Sequence, residues 1–507
     1  MPSSRLTGSA QAVSLGEGYA LRAPGLQGEA TLLPPADATT RSRAAAPDAG
    51  MAALDEALRA QHVDEVKRID LSVQPVPGAA AATALRSAGA QANVELQVPD
   101  LGDEVGQLVL SIDDAGAVRW HLPEPDVGGT AASRGAGGSK RFLIPATVVS
   151  GSTGEPGTAN RSIFGAAARR LLKVLVYPIT DPIVGKLSEL FAAHWEATHR
   201  PYGLRSFTPD NYQNADVPLL DTAAIAAMAA QGPILLFVHG TFSTAHAAFS
   251  GLPRETMQQL HARYGQRVVA FNHPSLSAAP EDNVRWLLEH LPATPMAIDV
   301  ICHSRGGLVA RVLAERLSAF ALDASHVQVR RIAFVGVPNQ GTALADADHM
   351  VSMIDRLTTA LTLFPTGPVT ETLEAMVTVI KMISHGFLKG LPGIAGMQPG
   401  GAFLSTLNTS STTATQYFGM TSNYEPTVSG LRGLVAGTAD GAIDQVFENA
   451  QNDLVVPTDG VWDSNGATGF PLQTAHLLVL KPADGVMHTS YFPHHAVSER
   501  LLQWMTI

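Results

Sequence analysis

The sequence predicts an α/β protein with a mostly parallel sheet, preceded by a smaller region that is rich in β-strands. The first observation is a series of short apolar runs after residue 230, which alternate with stretches of helical periodicity. Strands that are apolar on both faces and separated by helices are typical of a parallel sheet covered on both sides. The second observation is a set of alternating runs between residues 62 and 122, which predicts antiparallel strands. The third is the length of 507 residues, which exceeds what one compact core organises.

The predicted parallel strands are six apolar runs that are bounded by glycine, proline or polar residues. These runs are PILLFV (233–238), RVVAF (267–271), AIDVIC (297–302), RRIAFVG (330–336), QYFGM (416–420) and HLLVL (476–480). Ligands of such sheets bind beyond the carboxyl ends of the strands. Polar residues follow several of these ends, namely His239, His273, Ser304 and Asn339. We therefore expect a functional site at that edge of the sheet.

Shifts in composition and periodicity divide the chain into segments. Residues 1–60 are rich in Ala, Gly, Pro and Ser. The residues around 164–200 have a helical pattern that is interrupted by Pro178 and Pro182. We expect a flexible N-terminal segment (1–60), a β-rich accessory domain (61–125), a Gly/Ala/Ser linker (126–141), a helical lead-in (142–230) and an α/β domain (231–507).

Composition argues against several classes of function. The net charge of −11 does not favour nucleic acid as a partner, because nucleic-acid binding needs a basic face. A single cysteine rules out an intrachain disulfide, and no cluster of His, Asp and Glu has zinc-ligand spacing, so we expect neither a metal nor another cofactor. We expect no transmembrane segment and no signal peptide, hence a cytoplasmic location, with non-classical export left open. The sequence leaves the oligomeric state undetermined.

The stretch DVICHSRGGLVARVL (299–313) places Ser304 where a predicted strand turns into a predicted helix. A serine at such a turn needs small neighbours two residues before and two residues after it, and these are Cys302 and Gly306. The alternative is that Ser304 only caps the helix, since serine is a frequent N-cap residue. Cys302 itself is expected to pack inside the protein rather than to act as a catalytic thiol.

The pattern around Ser304 resembles the nucleophile elbow of α/β-hydrolases, with cysteine at the first glycine position. Residues 200–507 are similar to bacterial lipase and esterase members of that superfamily. The segments that carry this resemblance are LLFVHGTF (235–242), AFNHPSLSAAPEDNV (270–284), AFVGVPNQGTALAD (333–346) and GMQPGGAFLSTLN (396–408). The resemblance implies an α/β-hydrolase fold with a helical cap insertion.

The resemblance also implies roles for particular residues. The backbone N–H groups of Thr241 and Arg305 would form an oxyanion hole for Ser304, the nucleophile. The family order of Ser, then an acid, then His nominates Asp453 in ENAQNDLVVPTDG and His488 in DGVMHTSYF. Alternative acids are Asp440, Asp444 and Asp459, and alternative bases are His494 and His495. Candidate substrate contacts are Phe242, His303 and His273. For His303, Arg305 and His273, a place at the rim of the site or a supporting role behind it is the preferred interpretation.

These residues imply a serine hydrolase that cleaves carboxylic esters through an acyl-enzyme. The expected substrate is a small-molecule, lipid-like or polymeric ester with a hydrophobic acyl group. An acyltransferase or a thioesterase would use the same triad, so both alternatives stay open. A scaffold protein with a non-catalytic hydrolase-like domain is the alternative from another class, because fold alone does not fix function.

An insertion at about 347–393 is longer than the connections usual in such sheets. Its apolar residues recur at helical spacing on both sides of PTGP (365–368), which predicts two helices. The insertion contains four methionines, Met350, Met353, Met376 and Met382. Flexible methionine side chains suit acyl groups of varied shape. We therefore expect a cap or lid over the site and a preference for medium-chain acyl groups over acetate, unless the helices serve only as core.

Overall fold

The structure is a computed structural model of the 507-residue chain. The residues that it describes are 3–36, 49–76, 93–102, 104–114, 116–124, 138–145, 168–179, 188–315, 318–345, 349–365, 368–384, 391–409, 414–424, 451–464, 467 and 469–506. Of the candidate residues, Asp440 and Asp444 lie outside these ranges, as does most of the expected linker, at 126–137.

The N-terminal part consists of two antiparallel sheets that share one core. Its strands are β1 (Ser4–Thr7), β2 (Val13–Gly16), β3 (Tyr19–Arg22), β4 (Leu26–Leu33), β5 (Asp64–Pro75), β6 (Asn93–Pro99), β7 (Val105–Asp113), β8 (Val118–His121), β9 (Ser139–Pro145) and β10 (Ala168–Pro178). The six-stranded sheet has the order β1-β4-β5-β10-β7-β8, and the four-stranded sheet has the order β2-β3-β6-β9. Buried side chains of both sheets, such as Ile69 and Leu96, form a single cluster. Helix α1 (Ala49–Ala60) connects β4 to β5 in the chain.

This part of the structure differs from the sequence predictions in two places. Residues 168–178 form strand β10 rather than a helix, and the described residues of 1–60 form four strands and α1 rather than a flexible segment. Strand β10 pairs with both β5 and β7, and its side chains are buried on both faces. A continuous apolar run of this kind has the same sequence signature as a buried helix. Strands β1, β2 and β3 have only four residues each, and β4 pairs with β1 and with β5, which lies about 40 residues further along the chain.

The C-terminal part contains the predicted mostly parallel sheet, which is confirmed. Its strands are β11 (Gly203–Ser206), β12 (Ile234–Val238), β13 (Val268–Asn272), β14 (Met296–His303), β15 (Val327–Val335), β16 (Gln416–Ser422) and β17 (Leu477–Leu480). The order is β11-β13-β12-β14-β15-β16-β17. Only β11 is antiparallel to its neighbour, and each of the six predicted apolar runs overlaps one of the parallel strands.

Helices cover both faces of this sheet. They are α2 (Ser188–His199), α3 (Thr222–Ala229), α4 (Ala245–Ala248), α5 (Arg254–Arg263), α6 (Pro280–His290), α7 (Gly306–Glu315), α8 (Met350–Leu363), α9 (Val369–Ser384), α10 (Pro392–Ala395), α11 (Ala402–Leu407), α12 (Asp459–Trp462) and α13 (His495–Trp504). Successive strand residues alternate between two cores. Val300 and Cys302 face the core that α6 and α7 cover, whereas Ile301 faces the core that α5 and α13 cover. Because both faces are buried, the strands are mostly apolar.

The predicted insertion consists largely of α8 and α9, which flank residues 365–368. Both helices bury most of their apolar side chains, and they belong to the same core as α6 and α7. That core also includes residues of the six-stranded N-terminal sheet, such as Leu110 and Tyr177. The helices therefore lie between the two main sheets of the molecule.

Candidate active site

Ser304 occupies a tight turn between β14, which ends at His303, and α7, which begins at Gly306. Its φ angle is +52°, a left-handed conformation that is costly for a residue with a side chain. The turn requires glycines around it, because a Cβ at position 306 would lie 2.4 Å from the Val238 carbonyl oxygen. A Cβ at Gly240 would lie 2.5 Å from the Ser304 Cβ. The strained turn therefore presents Ser304 against the loop that follows β12.

The structure brings the three side chains nominated from the sequence into one hydrogen-bonded chain. The Ser304 hydroxyl lies 3.0 Å from His488 Nε2, and His488 Nδ1 lies 2.8 Å from an Asp453 carboxylate oxygen. All three residues are buried, with Asp453 only 1% exposed. Because Nδ1–H donates to the carboxylate, the neutral ring has its lone pair on Nε2, facing the serine.

The loop that carries Asp453 folds around its carboxylate. One carboxylate oxygen accepts the backbone N–H groups of Val455 (3.0 Å) and Val456 (2.8 Å), which belong to the short apolar run that follows the acid. The other oxygen accepts the Tyr491 hydroxyl at 2.8 Å, in addition to His488. Burial alone would raise the pKa of Asp453, but the charge and hydrogen bond of His488, with the N–H of Val456 and the Tyr491 hydroxyl, hold this pKa below its usual value. The carboxylate is therefore ionised at neutral pH.

The alternative candidates that the structure describes lie elsewhere. Asp459 is exposed at the first residue of α12. His495 is exposed on α13, where its Nδ1 lies 3.4 Å from Glu499, and His494 precedes that helix as its N-cap. Among the described residues, only His488 has a ring nitrogen within hydrogen-bond distance of Ser304.

Two backbone donors lie beside the serine, that of Thr241 on the loop after β12 and that of Arg305 in the turn after β14. Neither the Thr241 N–H nor the Arg305 N–H donates to a protein acceptor within the described part of the chain. The next residue, Phe242, has a φ angle of +62°, and its N–H donates to the Ser275 hydroxyl at 3.3 Å. This contact fixes the loop while leaving the Thr241 N–H available. The arrangement is suited to an oxyanion hole.

Buried side chains support this loop from behind. Burial lowers the pKa of His239 to about 3, so the ring is neutral and donates from Nδ1 to the Gly240 carbonyl at 2.9 Å. Its Nε2 accepts the backbone N–H of His273, whose ring stacks on it with centroids 4.2 Å apart. His273 is buried in this stack and is not among the residues that line the cleft, so the structure places it behind the loop.

Sequence reasoning did not identify several residues of the site. Glu196 on α2 is fully buried, and its carboxylate accepts the backbone N–H groups of Ser275, Leu276 and Ser277 at 2.6, 2.9 and 2.8 Å. Gly336 follows β15, and a Cβ there would lie 3.3 Å from His488 Nδ1 and 3.2 Å from the Asp453 carboxylate. The only signal for Gly336 was its place at the end of a predicted strand. Glu196 and Tyr491 gave no signal, because their partners are distant in the sequence.

A cleft leads from the protein surface to Ser304 and His488. It encloses about 920 Å³ of empty space, including solvent at its mouth. Phe242 and His303, two expected substrate contacts, line it. The wall opposite the sheet is apolar and comes mainly from α8 and α9, with side chains of Met353, Leu357, Leu361, Val369 and Met376. The other two methionines of the insertion, Met350 and Met382, are buried in the core and do not line the cleft.

Cys302 and Arg305 are buried beside Ser304, whereas His303 is half-buried and also lines the cleft. Burial raises the pKa of the Cys302 thiol well above its usual value, and the thiol donates to the Ala333 carbonyl oxygen at 3.4 Å. The Arg305 side chain is fully buried and donates from Nε to the Gly393 carbonyl at 2.9 Å. His303 donates from Nε2 to the His488 carbonyl at 2.9 Å, which ties the base to the turn.

The described residues contain neither a metal-binding cluster nor a membrane-spanning helix. Within those ranges, no three His, Cys, Asp or Glu side chains lie close enough together to hold a metal ion. Across the same ranges, every helix is too short or too polar to cross a membrane.

The strand order, the strained serine turn and the positions of the acid and histidine after later strands define an α/β-hydrolase-like fold. Within this class, the chain belongs to a family described as a domain of unknown function (DUF7379), whose profile matches residues 199–506. No functionally curated protein matches the sequence.

Solved structures resemble parts of the chain at low identity. Lipase 1 from Pelosinus fermentans is 16% identical, with a TM-score of 0.36, and the match covers 54% of this chain and 100% of that one. Phospholipase PlaB from Legionella pneumophila is 14% identical over 45% of each chain, with a TM-score of 0.30. An α/β-hydrolase family protein from Desulfitobacterium hafniense is 12% identical over 54% of this chain and 95% of its own, with a TM-score of 0.29. Because these scores are low, the fold assignment depends on the strand order and the serine turn.

Proposed function

We propose that this protein is a serine hydrolase that cleaves carboxylic esters of hydrophobic acyl groups. The observation that carries the proposal is the hydrogen-bonded chain from Ser304 through His488 to Asp453, at the end of a cleft with an apolar wall. A serine hydroxyl is a weak nucleophile unless an adjacent base accepts its proton. The chain of contacts supplies such a base and a carboxylate that orients it.

In the first half of the reaction, Ser304 Oγ attacks the ester carbonyl carbon while its proton moves to His488 Nε2. The carbonyl oxygen becomes an oxyanion, and the N–H groups of Thr241 and Arg305 donate to it. Each such donor lowers the barrier by about 3 kcal/mol. The C–O bond to the leaving alcohol then breaks, His488 returns its proton to the alkoxide, and an ester between Ser304 and the acyl group remains.

The second half of the reaction uses water as the nucleophile. His488 Nε2 accepts a proton from the water, whose oxygen attacks the acyl-enzyme carbonyl and forms a second oxyanion. The bond to Ser304 Oγ breaks, the proton passes from His488 to the serine, and a carboxylic acid leaves. Asp453 stabilises the imidazolium in both halves, since its lowered pKa keeps it ionised.

The wall of the cleft supports a hydrophobic acyl group. Met353, Leu357 and Met376 face the cleft from the two cap helices. Burying one methylene contributes about 0.8 kcal/mol of binding free energy. A medium-chain acyl group that packs against the wall therefore binds several kcal/mol more favourably than an acetyl group. We expect kcat/KM for p-nitrophenyl octanoate to exceed that for the acetate by at least about tenfold. Equal values would contradict the assignment of this wall to the acyl group.

The assignment of the nucleophile is tested with Ser304→Ala. We expect kcat for p-nitrophenyl octanoate to fall by roughly 10⁴-fold or more, and covalent labelling by a fluorophosphonate probe to disappear from the intact mass. The matched control is Ser325→Ala, a change at an exposed serine on the loop before β15, which should leave both readouts unchanged. Full labelling of the Ser304→Ala variant, or no labelling of the unmodified protein, would overturn the proposal.

A further inference from the structure

Strand β8 lies at the edge of the six-stranded N-terminal sheet, and helix α8 satisfies its outward backbone groups. The Thr359 hydroxyl accepts the Val118 N–H at 2.9 Å and donates to the Val118 carbonyl at 3.2 Å. The Asp355 carboxylate accepts the Trp120 N–H at 2.8 Å. Side chains of the cap helix thus take the place that a neighbouring strand would occupy.

The geometry of the two elements explains this fit. Residues four apart on a helix are separated by about 6 Å along its axis, whereas residues two apart on a strand are separated by about 6.6 Å. Asp355 and Thr359 are four apart, and their partners Trp120 and Val118 are two apart. The spacing of the two helix residues therefore matches the spacing of the two strand residues. Helix α8 can lie alongside β8 and make the contacts with Val118 and Trp120 at the same time.

The opposite face of α8 forms the wall of the cleft. Met353, Leu357 and Leu361 all line the cleft, and they follow one stripe of the helix at four-residue spacing. At 100° per residue, this stripe lies on the side of the helix opposite to Asp355 and Thr359. A shift of α8 relative to β8 therefore moves the apolar wall relative to Ser304.

The second cap helix, α9, is held by the same N-terminal part. Lys381 is 1% exposed and donates to the Gln61 carbonyl at 2.9 Å, and the Thr378 hydroxyl donates to the Gln61 side-chain oxygen at the same distance. Helix α1 approaches α8 so closely that a Cβ at Gly50 would lie 2.2 Å from the Thr362 carbonyl oxygen. Both helices are thus bound on their outer side.

We propose that the N-terminal six-stranded sheet is a fixed support for the cap, and that Asp355 and Thr359 are positioning residues that set the depth of the acyl-binding wall. This inference depends on the proposed ester hydrolysis only for its kinetic readout. It assigns a function to the N-terminal part of the chain, which determines chain-length preference from a position behind the cleft.

The test compares Thr359→Val with Thr359→Ser. Valine keeps the size of threonine but removes both hydrogen bonds to Val118, whereas serine keeps the hydroxyl. For Thr359→Val we expect the ratio of kcat/KM for octanoate to that for acetate to fall by about tenfold. Helix α8 is then no longer held in one position, so its apolar side chains contact the octanoyl chain less well. Acetate hydrolysis and fluorophosphonate labelling should stay within about twofold of the unmodified protein. Thr359→Ser should retain the original ratio.

Hydrogen exchange of the backbone amides in 350–363 provides a readout that does not depend on activity. Exchange should accelerate in Thr359→Val and stay slow in Thr359→Ser, because the support stabilises the helix against local opening. If Thr359→Val does not fold, Asp355→Ala tests the neighbouring contact of the same support, at Trp120. Unchanged exchange, or a parallel loss of octanoate and acetate activity without a change in their ratio, would overturn the inference. If the unmodified protein neither hydrolyses esters nor is labelled by the fluorophosphonate, the proposed function is wrong. The hydrogen-exchange data would still show whether the N-terminal sheet supports helix α8.

Discussion

The carboxylate of Asp453 has more partners than the sequence indicated. Two loop N–H groups bind one oxygen, and His488 and Tyr491 bind the other. Each partner favours the ionised form and fixes the direction of the carboxylate. Tyr491, three positions after the histidine in the chain, therefore helps to hold the same carboxylate oxygen that orients the base.

Tyr491→Phe measures the contribution of this partner. The aromatic ring keeps its volume while the hydroxyl that donates to Asp453 is lost. We expect kcat to fall by about tenfold with KM nearly unchanged, because the change acts on the orientation of His488 and not on substrate binding. Loss of the donor also raises the pKa of Asp453 toward its usual value, so any loss of activity in acid begins at a higher pH than in the unmodified protein. A kcat within about twofold of the original would show that the hydroxyl is dispensable.

The choice of acid is tested with Asp453→Asn and a control at Asp459. The amide cannot stabilise an imidazolium, and it favours the wrong tautomer of His488, so we expect kcat to fall by about 10³ to 10⁴-fold. Asp459→Asn changes an exposed carboxylate six positions later in the chain, and kcat should stay unchanged. A near-original rate for Asp453→Asn would mean that another carboxylate, such as Asp440 or Asp444, serves as the acid. Kinetics with p-nitrophenyl octanoate distinguishes these outcomes.

At the scale of elements, the strands of the parallel sheet could be predicted from the sequence, whereas the N-terminal sheet that lies behind them could be predicted only in part. Six apolar runs predicted six strands because both faces of such strands are buried, which leaves a strong local signal. The same property made β10 indistinguishable from a helix, since its partners β5 and β7 were not visible in the local pattern. Ser304 directly follows a recognisable strand and the family resemblance nominated Asp453 and His488, whereas Tyr491 and Glu196 meet the site only through the tertiary fold.

The contact between α8 and β8 has a measurable pH dependence. Burial raises the pKa of Asp355 to about 7, against the opposing effects of the Trp120 N–H and of Arg119 and Arg356. Between about pH 4 and pH 7 the folded protein therefore keeps a proton that the unfolded chain has lost. The stability contributed by this group is complete below pH 4, falls as the pH rises through this window, and is constant above pH 7.

Asp355→Asn removes this dependence while keeping an oxygen that accepts the Trp120 N–H. We expect the variant to match the unmodified protein in thermal stability near pH 4 and to exceed it at pH 8. The slope of the free energy of unfolding against pH should differ by at most about 1.4 kcal/mol per pH unit between pH 4 and pH 7. Thermal unfolding at pH 4.5, 6 and 8 measures this difference. Parallel pH profiles for the two proteins would contradict a raised pKa at Asp355.

At the scale of the whole molecule, one hydrophobic core runs from the N-terminal sheet through the cap helices to the parallel sheet. It includes Leu110 and Trp120 from the first sheet, Ile354 and Val377 from the cap helices, and Val300 from the second sheet. A core that crosses all three layers couples their stabilities, because none of the layers can move away without exposing apolar surface. Helices α8 and α9 therefore form an internal layer of the protein rather than a flap on its surface.

This layering leads to a prediction about how the protein meets an insoluble substrate. A lid that covers an active site in water and moves aside at a lipid surface produces a jump in rate when the substrate exceeds its solubility limit. Here the outer faces of α8 and α9 are bound by Val118, Trp120 and Gln61, so such a movement would break these buried hydrogen bonds and expose the core between the helices and the N-terminal sheet. We expect the initial rate of tributyrin hydrolysis to rise smoothly through the solubility limit.

In Thr359→Val, which has a loosened support, the initial rate should also rise smoothly or show a small jump at that limit. A sharp increase at the limit in the unmodified protein would mean that the cap opens despite these contacts, and that the N-terminal sheet moves with it.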